Sequence, residues 1–283
     1  MKRSKPFRTS ELTAVMRALH QTADDEPKIF ADPIAPRLVN TAPENDDWLQ
    51  QFLAQRFAKT LRSGFLLRNR YAEDCLAEGV ERGVQQYLIL GAGLDTFAYR
   101  QPPWAVAIRI YEIDLPVSQS WKRDRLAAAG IPVPPNLRFV PINFEKISLA
   151  GALEAADFDL SSRTFCSWLG VTQYLTPAAI DGTLAFVLSL PRGSEIVFSF
   201  ILPWQAAPAA EVEALRTAAR KAAAVGEPWL STFRPEDLKA HLRAMGFSNV
   251  IHLTPEEAQE RYFQNRHDGL AARHGEQSIR AVV

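Results

Sequence analysis

Two glycines and three carboxylates stand where a nucleoside-type ligand could be held. The run Leu88-Ile89-Leu90-Gly91-Ala92-Gly93-Leu94-Asp95-Thr96 passes from an apolar stretch into a turn of small residues. At the carboxyl end of a buried strand such residues let a ligand approach the backbone and its free N–H groups. Taken alone, Gly-x-Gly reads first as an ordinary strand-to-helix turn. The second run, Ile110-Tyr111-Glu112-Ile113-Asp114, ends in carboxylates a little over twenty residues after the glycines, the spacing at which an acid reaches a ribose hydroxyl. Asp114 is the first candidate for that contact and Glu112 the second. A solvated strand end is the alternative for both.

The same segment argues against a dinucleotide. A phosphate-binding fingerprint has a third glycine where this chain has Thr96, and the neighbouring Asp95 would repel a pyrophosphate. A nicotinamide oxidoreductase uses a similar sheet and is disfavoured on that ground. A nucleoside without phosphates fits better, and S-adenosyl-L-methionine has that form. Its adenosine, sulfonium cation and amino-acid tail need backbone donors and carboxylates rather than a basic cradle.

The elements that must position these residues follow from periodicity. Tyr87-Leu88-Ile89-Leu90 is a continuous apolar run, as expected of a strand buried on both faces. Further strands are predicted at 108–113, 137–142, 164–169, 195–200 and 250–253, with helices at 117–129, 177–190 and 235–245, the last stopping at Gly246. This alternation predicts a doubly wound α/β sheet. Before residue 80 the spacing is helical, in Leu49, Phe52, Leu53, Phe57 and in Leu61, Phe65, Leu66, and is cut by Pro27, Pro33, Pro36 and Pro43. An Ala-rich amphipathic helix at 206–224 follows the fifth strand. We read one domain: a helical cap over 1–80, a core over 81–283, and an inserted lid at about 202–230.

The chain has 283 residues, with Lys+Arg 32 against Asp+Glu 32. The balance leaves no long-range field for nucleic acid or anionic lipid, so a small-molecule substrate is expected. Two cysteines, Cys75 and Cys166, make no disulfide framework. The basic start Met1-Lys2-Arg3-Ser4-Lys5-Pro6 lacks the apolar core of an export signal, and no apolar run approaches a bilayer span. A cytoplasmic location is expected. The oligomeric state has no signature here.

Six ordered motifs resemble the leucine carboxyl methyltransferase family and its bacterial relatives. They are Arg17-Ala18-Leu19-His20, Asp32-Pro33-Ile34-Ala35, Arg68-Asn69-Arg70-Tyr71, the pair formed by residues 90–100 and Tyr111-Glu112-Ile113-Asp114-Leu115-Pro116, Gly170-Val171-Thr172-Gln173-Tyr174-Leu175-Thr176-Pro177, and Arg261-Tyr262-Phe263 with Asp268-Gly269-Leu270. The resemblance implies a class I methyltransferase fold: a Rossmann-like, seven-stranded, mostly parallel sheet whose last strand, 278–283, is antiparallel. It implies an S-adenosyl-L-methionine-dependent O-methyltransferase of the kind common in secondary metabolism. It places the methionine part of the cofactor at Gly91, Ala92 and Gly93, with Asp95 beside them, and the ribose at Asp114. Arg68 is implied at the cofactor carboxylate and the acceptor, with Arg17 as companion, and Tyr174 near the acceptor. A guanidinium suits such a role because its planar fork binds a carboxylate by two parallel hydrogen bonds.

Two departures modify this. Where the family has Asp-Leu at the adenine, this chain has Asn143-Phe144; the Asn carbonyl and the Phe N–H can still meet the base. Where many members have a glutamate before the fourth-strand glycine, this chain has Leu169. The loss argues for a less polar acceptor, lying near Trp168, Tyr174, Trp204 and Trp229, although core packing is the expectation for most of those aromatics. The five histidines show no metal-ligand spacing. An ionised carboxylate acceptor needs no base. A phenol or alcohol acceptor would need one, and His20 is its candidate. The third alternative is a cofactor-binding protein without activity.

Overall fold

A computed structural model of the chain describes residues 8–39, 58–143 and 149–283. Phe144 and the helical pattern from Leu49 to Phe57 lie outside the described residues. Seven strands form one sheet in the order β3-β2-β1-β4-β5-β7-β6. They are β1 (Gln86–Leu90), β2 (Arg109–Asp114), β3 (Leu137–Pro141), β4 (Thr164–Trp168), β5 (Glu195–Ile201), β6 (Asn249–Leu253) and β7 (Glu276–Val282). β1 pairs in parallel with β2 and β4, β3 with β2, and β5 with β4, while β7 runs antiparallel between β5 and β6. This is the class I methyltransferase arrangement, antiparallel penultimate strand included.

The central strands are apolar on both faces because both faces are covered. Side chains alternate along a strand, so Leu88, Leu90, Cys166 and Trp168 enter one core while Tyr87, Ile89 and Phe165 enter the other. The first core is closed by α6 (Pro177–Leu188), through Ile180, Leu184 and Val187, and by α8 (Pro235–Met245), through Leu238 and Leu242. The second is closed by α3 (Ala58–Glu81), which buries Leu66, Tyr71, Cys75 and Leu76 on one stripe. α4 (Pro116–Ala128) follows β2 with Pro116 at its first turn, where a missing N–H costs nothing. The remaining helices are α1 (Arg8–Ala23), α2 (Ala35–Leu38), α5 (Leu149–Glu154), α7 (Ala209–Ala224) and α9 (Pro255–Tyr262).

α5 and α9 were not among the sequence expectations. α5 is too short to show a helical period. α9 is marked by Thr254 and Glu257, which form a reciprocal capping box, a signal that was legible. Among the described residues no helix is long and apolar enough to cross a membrane.

Candidate functional site

From β1 the chain adds β2 and β3 on one side of the sheet, then crosses to add β4 on the other side of β1. At such a reversal the strand ends splay and open a crevice at their carboxyl termini. A cavity of about 650 Å³ lies there, within the range of cofactor and substrate sites. One end is lined by the Gly91-Ala92-Gly93 turn, Asp114 and Asn143. The other is lined by Leu169, Tyr174, Leu215 and Trp229.

The turn is held from β2. Gly91 and Ala92 donate their N–H groups to the Ile113 carbonyl at 2.7 and 3.0 Å. Gly91 has φ +69°, and a Cβ there would stand 2.5 Å from Val171 Cγ2, so only glycine fits. Asp114 accepts from the N–H of Gly93 and of Leu115, both at 2.6 Å. Burial pushes its carboxyl up, while those two N–H groups and the Ser118 hydroxyl oppose the rise. Asp114 itself lines the cavity. Asp95 also lines the cavity and accepts from the Phe97 N–H at 2.8 Å.

Glu112 is not brought to the cavity. It is fully buried and ion-paired to Lys122 Nζ of α4 at 2.7 Å. Burial pushes its carboxyl up to about 7, and Lys122 opposes that. It sits two residues deeper than Asp114 on the same strand, where α4 covers it. Among the described residues, no group of three or more His, Cys, Asp or Glu is placed to hold a metal.

Arg17 lies in the cavity wall with its hydrogen bonds directed into the fold. Its Nε donates to Asp32 Oδ2 at 2.9 Å and its Nη2 to the Leu94 carbonyl. Asp32 Oδ2 also accepts from Thr96 Oγ1 at 2.7 Å. Burial would raise the Asp32 carboxyl, but Arg17 and Arg100 together hold it below the usual range. The two N-terminal motifs therefore brace the glycine turn from outside.

Arg68 is 7% exposed and projects from α3 onto the turn after β4. Its Nη1 pairs with Glu276 Oε1 at 2.6 Å, and its guanidinium lies 4.7 Å from the centre of the Phe65 ring. Glu276 Oε1 accepts from Ser199 Oγ at 2.8 Å, and Ser199 Oγ accepts from the Gly170 N–H at 2.8 Å. Gly170 has φ +70°, and a Cβ on it would stand 2.5 Å from Arg68 Nη1. One arm of the fork is thus committed to Glu276, a partner the sequence did not indicate.

Tyr174 lines the cavity, and burial pushes its phenol up, with the Glu227 charge adding to the rise. Glu227 accepts from Thr9 Oγ1 of α1, joining α1 to the 202–230 segment beside Tyr174. That segment is fixed at its start by Glu211 of α7, which accepts from the N–H groups of His274 and Gly275 at 3.0 and 3.1 Å. At its end the Leu230 N–H donates to the Gln173 carbonyl at 2.6 Å.

Of the four aromatics named for the acceptor, only Tyr174 and Trp229 line the cavity. Trp168 is fully buried in the core, and Trp204 is 37% exposed beneath Arg216. His20 does not line the cavity either. Its Nδ1 meets Asp24 at 2.8 Å and its Nε2 accepts from the Ile29 N–H at 3.0 Å, so both ring nitrogens serve the cap. Asp24 is in turn ion-paired with Arg62 at 2.5 Å.

The site's residues suit a phosphate-free nucleoside cofactor: the glycine turn carries an acid at either side and no cationic cradle. The sequence pattern of the leucine carboxyl methyltransferase family matches residues 10–188. YktD of Bacillus subtilis (strain 168), named as a candidate S-adenosyl-L-methionine-dependent methyltransferase, is 31% identical over 294 residues, covering 96% of each chain. A relative from Mycobacterium sp. (strain JLS) with the same designation is 33% identical over 169 residues, covering 59% of this chain and 52% of its own. Among solved structures, a DUF574 family protein from Streptomyces avermitilis MA-4680 superposes with TM-score 0.62 at 14% identity, covering 99% of this chain and 98% of its own. A candidate methyltransferase from Thermobifida fusca YX gives TM-score 0.58 at 19% identity, covering 99% and 96%. Those two likenesses speak for the fold. With the family pattern across more than half its length and a relative aligned nearly end to end, the chain belongs to the leucine carboxyl methyltransferase family and is an S-adenosyl-L-methionine-dependent methyltransferase.

Proposed function

We propose that this enzyme methylates an oxygen of a small, partly apolar acceptor, and that the oxygen belongs to a carboxylate. The observation that carries this is the continuity of the cavity: one space runs from Asp114 and the glycine turn to Leu169, Tyr174 and Trp229. Two reactants can therefore be held in line, which is most of what such a transfer requires. In this reading Asp114 holds the ribose hydroxyls, the backbone at Gly91, Ala92 and Gly93 meets the amino-acid part, and Asn143 meets the adenine. Arg17 positions the turn, and Arg68, already half engaged by Glu276, orients the reactants with Tyr174. Residues 202–230 act as a lid that keeps water out.

When bound, the cofactor supplies an electrophilic methyl group on a sulfonium. A carboxylate lone pair forms the O–CH₃ bond as the C–S bond breaks with its electron pair left on sulfur. A methyl ester and S-adenosylhomocysteine result, and no proton moves. No base is needed, and among the described residues the wall carries no histidine. Both charges vanish together, so a dry site favours the step. A cytoplasmic enzyme of secondary metabolism fits this chemistry.

The test is formation of S-adenosylhomocysteine with aromatic and polyketide-like acids, the matching phenols, and peptides. Turnover with the acids is expected. Arg68→Lys should lower it markedly, because an ammonium keeps the pair with Glu276 but has no planar second arm. Turnover confined to phenols, lost in His20→Ala, would overturn the carboxylate assignment.

A further inference from the structure

The cavity wall carries several cations, and their pairing differs. Arg17 is committed to Asp32 at 2.9 Å and Arg68 to Glu276 at 2.6 Å. Lys221 stands on α7, and burial lowers its ammonium. Arg273 lines the same cavity, yet among the described residues no carboxylate lies within 4.0 Å of it and its buried Nε meets no acceptor. A guanidinium cannot escape by losing its proton. A charged donor left unmet in a partly buried wall is costly unless a ligand meets it.

Three further polar atoms in the wall are buried without hydrogen-bond partners: Trp229 Nε1, Gln173 Oε1 and Arg68 Nε, the last on a guanidinium whose charge Glu276 already balances. Gln173 cannot simply turn, because its Nε2 donates to the Gly170 carbonyl at 3.2 Å. Nor is Arg273 on a loose tail. The next two residues are held by Glu211, and a Cβ on Gly275 would stand 2.7 Å from Leu215 of α7. The wall also carries apolar Leu169, Leu215 and Val225, and its carboxylates Glu211 and Glu227 are already engaged, Glu211 by the His274 and Gly275 N–H groups and Glu227 by Thr9 Oγ1.

We propose that Arg273 is the acceptor's anchor: it binds the carboxylate of a flat, mostly apolar acid whose body lies against Trp229, while Gln173 Oε1 accepts a hydrogen bond from a hydroxyl or N–H of that acid. This rests on the reading of the protein as a carboxylate methyltransferase and names its substrate class. It also gives product release a cause. The guanidinium attracts the anionic acid and has no charge to hold in the neutral ester, so methylation itself loosens the product. Arg273 thereby selects for the substrate against the product, a task that Arg68, balanced by Glu276, does not perform.

The probes are phenylacetate and its methyl ester, each titrated by ligand-observed NMR into the protein with and without S-adenosylhomocysteine. The wild type is expected to bind the acid about tenfold tighter than the ester, the size of one charge-assisted contact. In Arg273→Gln the two should bind alike, and Arg273→Lys should restore part of the preference. S-adenosylhomocysteine affinity and the unfolding midpoint should stay at wild-type values. A preference that survives in folded Arg273→Gln, or absence of acid binding at millimolar concentration, overturns the assignment of Arg273. Failure of the wild type to bind S-adenosylhomocysteine would instead overturn the reading beneath it, and the titrations without cofactor keep the two failures apart.

Discussion

Replacing Gly91 by alanine tests whether the turn after β1 is shaped by its own backbone or by its neighbours. Two penalties are expected. The left-handed conformation at φ +69° costs a non-glycine residue about 1–2 kcal/mol. The added Cβ would also stand 2.5 Å from Val171 Cγ2, and such overpacking costs about 1–3 kcal/mol more. The sum, about 2–5 kcal/mol, is below the stability of most domains, so the variant should fold and be measurable. Denaturant unfolding should show the loss, and calorimetric titration should show weaker S-adenosyl-L-methionine binding, because Val171 and the turn both line the cavity. In the background Val171→Ala the steric part should vanish and the backbone part remain, giving a coupling of about 1–3 kcal/mol in the double-mutant cycle. A wild-type midpoint for Gly91→Ala, or a coupling near zero, would refute the reasoning.

Asp114→Ala removes the acceptor of two N–H groups and the proposed ribose contact, so cofactor affinity should fall by one to two decades, from a loss of about 1.5–3 kcal/mol; an unchanged dissociation constant would count against it. Glu112 is raised by burial from the usual 4.5 to about 7, so its contribution to stability is complete below 4.5 and lost as pH rises through about 7. Glu112→Gln should therefore lose less stability than wild type between acid and mildly alkaline denaturation series, and an equal loss in the two proteins would count against it. His20→Ala should lower stability by about 1–3 kcal/mol, since the Ile29 N–H and Asp24 lose a partner, and leave the pH profile of turnover unchanged; loss of one limb of that profile would make His20 the base.

The cofactor end was legible because its signals are local. An apolar run, a glycine turn and an acid-ended strand lie within a single β-turn-β unit, where strand period and turn chemistry decide position. The spacing also named Glu112, since strand alternation puts residues 112 and 114 on one face. It could not show that Lys122, eight residues beyond Asp114, covers only the deeper of the two. Depth along a strand depends on what packs over it, and no period encodes that.

The acceptor end is assembled differently, and that is why its pairings were not legible. Arg68 stands on a helix 208 residues from Glu276, and its motif carries no trace of the acid that pairs with it. A motif arginine read alone counts as a free fork; paired at 2.6 Å, it adds little net field to the space it faces. Arg273 belongs to no motif, follows an ordinary loop, and becomes chemically distinct only because α7, the end of β5 and the start of β7 converge around Gly275. Net charge in a cavity is a property of pairings, and this is why the proposed anchor is Arg273, which among the described residues has no carboxylate partner. On the same proposal, a substitution of Glu276 in this chain that released Arg68 would add a second unbalanced cation to the cavity and change acceptor choice as one at Arg273 would.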